Sequence, residues 1–333
     1  MKVLILHNTV GENPSADEAD VLVQAEAIER SLLELGHTVE RLGCDHDLAA
    51  LVAELKRRAP DLVFNLVEAL LGTGRLLNVV PTFLDALGLR YTGGRAEALY
   101  LSTNKLLAKD KLDAAGLPTP AWRSSRASKS DEPFRPGRYI VKSVWEHASI
   151  GLDDSSVATY RREKDLEEAI RSQAQRLGGD SFGEEYIEGR ELNIGVLDGP
   201  DGPFILPPAE IIFTHYPADK PKIVGYASKW TEGSFEYQNT VRTFEVKDVA
   251  SPEIREAIGL TRAVWDLFDL SGYARVDFRL AADGTPYILE VNANPCLSPD
   301  AGYAAGLEAA GVRYTEAIAR IVAVALGPVR TGA

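Results

Sequence analysis

The run Arg275-Val276-Asp277-Phe278-Arg279-Leu280, a polar turn around Asp283-Gly284, and Pro286-Tyr287-Ile288-Leu289-Glu290-Val291-Asn292 decide the fold, because together they read as a hairpin with acids facing one another. Asp-Gly between two alternating runs favours a tight two-residue type I′ turn. With Asp283 and Gly284 as its central residues, Asp277 lies opposite Glu290 and Arg275 opposite Asn292. A period of two then puts Arg275, Asp277, Glu290 and Asn292 on one face and Val276, Phe278, Leu289 and Val291 on an apolar one. Like charges directly opposite each other destabilise a strand pair unless something cationic sits between them. Two carboxylates and an amide are all oxygen donors, a set that suits Mg²⁺ completed by phosphate oxygens and water. A solvated hairpin face also carries acids, so the residues alone leave both readings open.

Outward from this hairpin, 333 residues with 45% hydrophobic content exceed one ordinary core and imply two or three domains. The net charge is -13, from 49 acids against 36 bases, and no basic block stands out. Nucleic acid and anionic membrane are therefore not expected as primary partners. No run approaches the ~20 apolar residues of a membrane span, and Met1-Lys-Val-Leu-Ile-Leu6 turns polar too early for a signal peptide. Cys44 and Cys296 show no Cys-x-x-Cys spacing, which fits a reduced cytoplasm and offers no zinc site.

Residues 1–94 alternate strand and helix: strands at 3–6, 38–42, 62–66 and 89–92, helices at 17–35, 48–59 and 77–87. Such alternation implies a parallel sheet covered by helices, with ligands beyond the carboxyl ends of the strands. Asp17, Glu18 and Glu68 follow such ends, as helix-start acids or as ligand contacts. A helix over 103–115, capped by Ser102 or Thr103, links to a second unit, and Gly116-Leu-Pro-Thr-Pro120 closes it. Residues 124–136 are polar and proline-punctuated, hence loop. The second unit starts at Tyr139-Ile-Val-Lys142 and runs into a loop rich in small residues, 143–151, whose amides could cradle phosphates beside a lysine. Phe182-Gly-Glu-Glu-Tyr-Ile-Glu-Gly-Arg-Glu191 is either an exposed acidic turn or a nucleotide hinge.

In this order the pieces resemble the ATP-grasp superfamily, and within it the D-alanine–D-alanine ligases, over nearly the whole length. The motifs are Leu62 to Leu66 with Gly88 to Gly93, the Asn104-Lys105 helix, Lys142 with its loop, Glu184 to Glu191, and Asp277, Glu290 and Asn292. The resemblance implies an α/β chain, α+β in its catalytic part: an ATP-grasp fold preceded by a Rossmann-like parallel-sheet domain. Its domains would be 1–98, a linker helix with the small ATP-binding lobe at 99–187, and a C-terminal lobe at 188–333. Lys105 and Lys142 match ATP-contacting lysines, and Glu146, Ser149, Ile150 and Gly151 the loop over the phosphates. Glu184, Glu185, Tyr186 and Ile187 match the adenine hinge, Glu191 the ribose acid, and Lys229 a lysine reaching the γ-phosphate. Asp277, Glu290 and Asn292 match the ligands of two Mg²⁺ ions, a role Mn²⁺ could also fill. Arg275 matches the arginine that steadies the oxyanion; Lys229 and Ser149 complete the implied catalytic set. Implied too are a homodimer through the first domain and small amino acid or amine substrates.

Departures from the family's pattern fall where D-alanine would bind. Asp17 stands for a glutamate, Ala148 and Trp230 for a serine and a tyrosine, Glu68 and Thr73 for a histidine and a glutamate. Cys296 replaces glycine, and Ala301 and Gly302 replace the serine and leucine that receive the second D-alanine's carboxylate. Unpaired pocket groups discriminate strongly, so the expectation is an amide-forming ligase with other substrates. Asp17, Glu68 and Asp300 could receive cationic or amino groups, and Cys296 is expected to be a small packed residue rather than a thioester former. The rivals are a true D-alanine–D-alanine ligase, a phosphotransferase of the same fold, and a nucleotide-binding protein without turnover.

Overall fold

The computed structural model describes residues 1–124, 133–146 and 148–327, so much of the loop expected over 124–136, and position 147 within the loop that ends at Gly151, lie outside the described residues. The first unit is built from β1 (Lys2–Asn8), α1 (Ala16–Glu34), β2 (Thr38–Cys44), α2 (Leu48–Arg58), β3 (Leu62–Leu66) and α3 (Val79–Ala86), with the three strands parallel in the order β2-β1-β3. The strands at its centre are apolar on both faces because helices cover both. Val3 and Ile5 face α1, whose Val21, Ala25, Ile28 and Leu32 form one buried stripe, while Leu4 and Leu6 pack with Leu51 and Leu55 of α2. The strand expected at 89–92 is reduced to a single parallel bridge between Val63 and Tyr91.

One linker helix was expected, and two are present: α4 (Ala96–Thr103) and α5 (Lys105–Ala114). Asn104, not Ser102 or Thr103, caps the second, its side-chain oxygen accepting from the amides of Leu106 and Leu107 at 3.0 and 3.1 Å. An asparagine that leaves the helical conformation ends one helix and starts the next at the same residue. The second unit then follows with β4 (Trp122–Ser124), β5 (Gly137–Ser143), β6 (Val157–Tyr160), α6 (Glu163–Leu177) and β7 (Ser181–Glu185), in an antiparallel sheet ordered β4-β7-β5-β6. Leu166 and Ile170 of α6 bury against Tyr139 and Val141.

A larger antiparallel sheet completes the chain, ordered β11-β10-β8-β12-β13 with β9 beside β8. Its elements are β8 (Gly189–Leu197), β9 (Phe204–Ile205), β10 (Ala209–Phe213), α7 (Tyr226–Trp230), α8 (Phe235–Asn239), β11 (Thr240–Thr243), α9 (Pro252–Leu267), β12 (Tyr273–Ala281), β13 (Pro286–Asn292), α10 (Gly302–Ala309) and α11 (Tyr314–Leu326). Helix α9 covers one face of this sheet: Ile254, Ala257, Val264 and Trp265 pack with Val276, Phe278, Ile288 and Val291. Helix α11 returns to the first unit, where Ile318, Ile321 and Val322 join the α1 core. Where β8 begins, Gly189 has φ +152°, and a Cβ there would come within 1.9 Å of the Leu280 carbonyl oxygen, so only glycine lets the two backbones approach this closely.

The hairpin of β12 and β13 keeps the expected pairs Asp277 with Glu290 and Arg275 with Asn292, by a different route. Its tip is a three-residue loop closed by Ala281 and Thr285, with Gly284 left-handed at φ +91°. One residue of register is recovered by a bulge beyond Asp277, where Phe278 pairs with Ile288 and Leu289 is left over. Ile288 thereby takes the core place expected for Leu289.

Candidate active site

Register alone gathers the charged side chains. Across the strands, Asp277 is paired with Glu290 on one side and Asn193 on the other, Arg275 with Asn292, and Arg279 with Glu191. Period two puts all seven on the face that α9 leaves uncovered. Arg275 donates from Nε and Nη2 to the two oxygens of Asp277 at 2.7 and 2.8 Å, and Asn193 Nδ2 donates to the same carboxylate at 2.9 Å. Lys105 Nζ stands 3.2 Å from Glu290 Oε1 and donates to the Glu146 carbonyl at 2.8 Å. Burial alone would lower the basicity of Arg275, but Asp277, then Glu290, hold its pKa well above the ordinary value.

The donor set fits Mg²⁺. Asp277, Glu290 and Asn292 bring two carboxylates and an amide together, while among the described residues no group of three or more His, Cys, Asp or Glu could form a metal cage by itself. Few protein oxygens with room for phosphate and water is how Mg²⁺, more than Ca²⁺ or Zn²⁺, is held. Like-charged carboxylates facing each other across a strand pair call for a cation. Arg275 and Lys105 meet that need here, one on each acid.

Between the two antiparallel sheets lies an apolar slot, lined by Ile140, Tyr186, Ile187, Ile223 and Leu289 with Lys142 at its side. The bulge is what turns Leu289 into it. The amides of Glu185 and Tyr186 donate to the carbonyls of Ala121 and Arg138, which fixes this edge, and the Tyr186 hydroxyl meets the backbone of Lys222. Glu184 does not face open solvent as hinge residues often do; it is 1% exposed and held between Lys109 and Lys142, the latter at 2.6 Å. Burial would raise its pKa, yet the two lysines outweigh that and lower it. Glu191 is raised by burial against the pull of Arg279, whose Nη2 lies 2.7 Å away.

Two loops meet over this face. Ser149 Oγ donates to the Val224 carbonyl at 2.7 Å, the Trp230 indole to the Ala148 carbonyl at 3.1 Å, and the Tyr226 amide to the Leu152 carbonyl at 3.0 Å. Ala148 and Ser149 are both left-handed, at φ 55° and 62°, a conformation that costs ~1–2 kcal/mol per residue without glycine. Ile150 and Gly151 complete the same turn, and Glu146 accepts from the Thr73 hydroxyl at 3.1 Å. Lys229, on α7, is open to solvent on one side, but its pKa is lowered by burial of the ammonium and by Arg275, against Glu290, Asp277 and Glu191.

A third cluster forms where α1 meets the segment after β13. Asp17 accepts from the Tyr226 hydroxyl at 2.8 Å. Asp20 accepts from the Cys296 thiol at 2.9 Å and the Ser298 hydroxyl at 2.7 Å, and Gln24 donates to Glu68 at 3.1 Å. Burial, then Asp20 and Glu68, push the Cys296 thiol far above its usual range, so it is a neutral donor and not a thiolate nucleophile. Asp300 is exposed and lies near Arg242. Burial raises Glu68 to about 7, with Asp20 and Asp17 adding to it. A carboxyl raised on folding favours the folded state at low pH, and that contribution is lost as pH climbs from about 4.5 through 7. Glu68→Gln is therefore expected to raise Tm at pH 8 while changing it little at pH 5; scanning calorimetry at both values checks this, and an equal shift at both would count against it.

Lys109, Arg279, Asn193, Asp20, Gln24 and Arg242 escaped the sequence reading. For Arg279 and Asn193 the signal was there: each lies two residues along its strand from a residue already singled out, Asp277 and Glu191.

The profile of the family described as D-ala D-ala ligase C-terminus matches residues 135–323. A D-alanine–D-alanine ligase of Moorella thermoacetica is 29% identical over 98% of this chain and all of its own length. One of Aquifex aeolicus is also 29% identical, over 89% of this chain and 90% of its own. The ATP-complexed structure of D-alanine–D-alanine ligase from Bacillus anthracis superposes with a TM-score of 0.70 at 19% identity, covering 98% of this chain and 97% of that one. No helix among the described residues is long and apolar enough to cross a membrane. Sharing that ATP-grasp fold and matching the family's profile over more than half its length, the chain belongs to the D-alanine–D-alanine ligase family of ATP-dependent enzymes that form carbon–nitrogen bonds.

Proposed function

We propose that this protein is a carboxylate–amine ligase that uses ATP and Mg²⁺, passes through an acylphosphate, and joins substrates other than two D-alanines. The observation that carries the reading is Asp277 directly opposite Glu290, with Arg275 on the first carboxylate and Lys105 on the second. In the reaction, a substrate carboxylate oxygen attacks the γ-phosphorus and ADP leaves. The amine nitrogen of the second substrate then attacks the acyl carbon, phosphate departs, and the amine proton is lost to the surroundings. Mg²⁺, held by Asp277, Glu290 and Asn292, would draw charge off the phosphate oxygens when bound. Lys105, Lys142 and Lys229 supply further positive charge to the phosphates. The apolar slot between Ile140, Ile223 and Leu289 takes the base, and Glu191 the ribose hydroxyls.

Arg275 is rigidly aimed by its two bonds to Asp277, as a group meant to meet a developing oxyanion must be. The contacts of residues 148–152 with 224–230 join the two loops over this face, the cover that would keep water from an acylphosphate. On the substrate side, Ala148 and Trp230, bonded to each other, stand where the family has hydroxyl residues, Asp17 accepts from the Tyr226 hydroxyl instead, and Asp17, Asp20 and Glu68 form one acidic group for the donor substrate. These changes support different substrates.

The test is phosphate release from ATP and Mg²⁺ against D- and L-amino acids given singly and in pairs, with mass spectrometry of the products. A condensed product formed with stoichiometric phosphate is the expected result. D-alanine alone sufficing would restore the family's usual substrates, a phosphorylated product without free phosphate would make the protein a phosphotransferase, and nucleotide binding without turnover would make it a binder.

A further inference from the structure

Arg242 is a guanidinium on the reactive face that the proposed reaction leaves without a task and that, unlike Arg279 on Glu191, is in no ion pair among the described residues. Its place follows from register: Arg242 pairs with Ile211, Ile211 with Glu191, and Glu191 with Arg279, so Arg242 shares the face of Arg275 and Asp277. It looks into a cavity lined by Asn193, Arg242, Phe244, Arg275, Gly302 and Tyr303. Nη1 is buried there and has no hydrogen-bond partner, although a buried guanidinium N–H left unpaired is costly. Burial and the neighbouring Arg275 both disfavour its charge, opposed by the exposed Asp300. Arg275 is spent on Asp277, whereas Arg242 has no carboxylate within ion-pair distance among the described residues.

The backbone at 302 is shaped to this side chain. A Cβ on Gly302 would stand 3.3 Å from Nη1, 3.6 Å from Cζ and 3.7 Å from Nε of Arg242, so the guanidinium is laid across a residue with no side chain. The family resemblance puts a serine and a leucine at 301 and 302, as receivers of an acceptor carboxylate. Here Ala301 offers no hydroxyl, and a leucine at 302 would strike the arginine. Removal of those side chains and arrival of Arg242 from β11 are one steric arrangement.

We propose that Arg242 receives the carboxylate of the amine substrate, so that the acceptor is an amino acid or similar anion-bearing amine rather than a neutral or polycationic one; this rests on the ligase reading above. A guanidinium offers a planar fork matched to a carboxylate, and its charge repels an ammonium at the far end of a diamine. Asp17, Asp20 and Glu68 lie in a separate cluster where α1 meets the segment after β13, so a cationic group, if a substrate has one, belongs to the other substrate.

The experiment compares each of D- and L-alanine, aspartate and glutamate with its own α-amide as the amine, at saturating ATP and Mg²⁺, in wild type, Arg242→Gln and Arg242→Lys. Wild type is expected to prefer the free acid. Arg242→Gln should raise acceptor KM by about 10- to 100-fold, as loss of a charge-assisted hydrogen bond does, and erase the acid-over-amide preference with ATP KM unchanged. Arg242→Lys should recover part of both, which a merely structural role would not predict. Equal use of acid and amide by wild type, or the preference surviving in Arg242→Gln, overturns the proposal. Gly302→Ala, which crowds the guanidinium without removing it, should shift acceptor KM in the same direction and stands in if the glutamine variant does not fold. Failure of the ligase reading itself has another signature: no amine stimulates phosphate release from the wild type, and the assignment of Arg242 falls with it.

Discussion

Asp277→Asn is expected to lower kcat by at least about 100-fold, the scale seen when one charge-stabilising group is removed from a phosphoryl- or acyl-transfer site. The substitution keeps one oxygen in place, turns the other into an amide nitrogen and removes the charge. It also takes from Arg275 the bidentate partner that aims it, at 2.7 and 2.8 Å. Two consequences of one change, weaker metal retention and a loosened oxyanion group, should appear together as a raised KM for the metal–nucleotide complex and a lowered kcat. Steady-state kinetics over a Mg²⁺ series, with circular dichroism to confirm the fold, makes the measurement. A variant retaining a tenth of wild-type kcat would remove Asp277 from the reaction.

The largest expected effect on stability comes from Glu184→Ala. Glu184 is 1% exposed and Lys109 is 2% exposed, and Lys109 also donates to the Thr119 hydroxyl at 2.9 Å, which in turn donates to the Ile288 carbonyl. The carboxylate thus joins helix α5, which carries Lys109, strand β5, which carries Lys142, and the hairpin at one point. Removing one member of a buried ion group leaves the rest charged and unpaired, a loss of about 3–5 kcal/mol that should lower Tm by roughly 5–10 °C. Replacing Glu184 and Lys109 together with apolar residues should recover much of it, because the cost lies in the stranded charge. Calorimetry on the single and double variants decides: a Tm within about 1 °C of wild type for Glu184→Ala would mean the triad carries no such weight.

What could be read in the sequence was whatever repeats locally. The parallel first unit was legible because Val3 to Leu6 and Leu62 to Leu66 are short apolar runs separated by helical periods, and the structure has β1 and β3 there. Alternation put the acids on one face, but the Asp-Gly turn is not the two-residue one expected, and Asp277 meets Glu290 because the extra loop residue and the bulge cancel. Arg242 and Lys109 were not, since their meaning depends on β11 pairing with β10 and on α5 crossing the small sheet, contacts made across long stretches of chain. Asn104 was named in the sequence but not as the cap, because it does two jobs at once, ending α4 and starting α5, and periodicity runs through such a joint without a break.

The hairpin tip and the Leu289 bulge behave like a pair of compensating frameshifts. One extra residue in the loop displaces the strand by a step, and one unpaired residue further on restores it before Glu290. Closing the bulge while the three-residue loop stays would pair Asp277 with Leu289, rotate Glu290 and Asn292 into the α9 core, and turn Leu289 and Val291 toward the reactive face. The facing of an acid is thus settled at a distance, because the geometry of an exposed loop and a kink in the strand must agree before Glu290 can stand opposite Asp277.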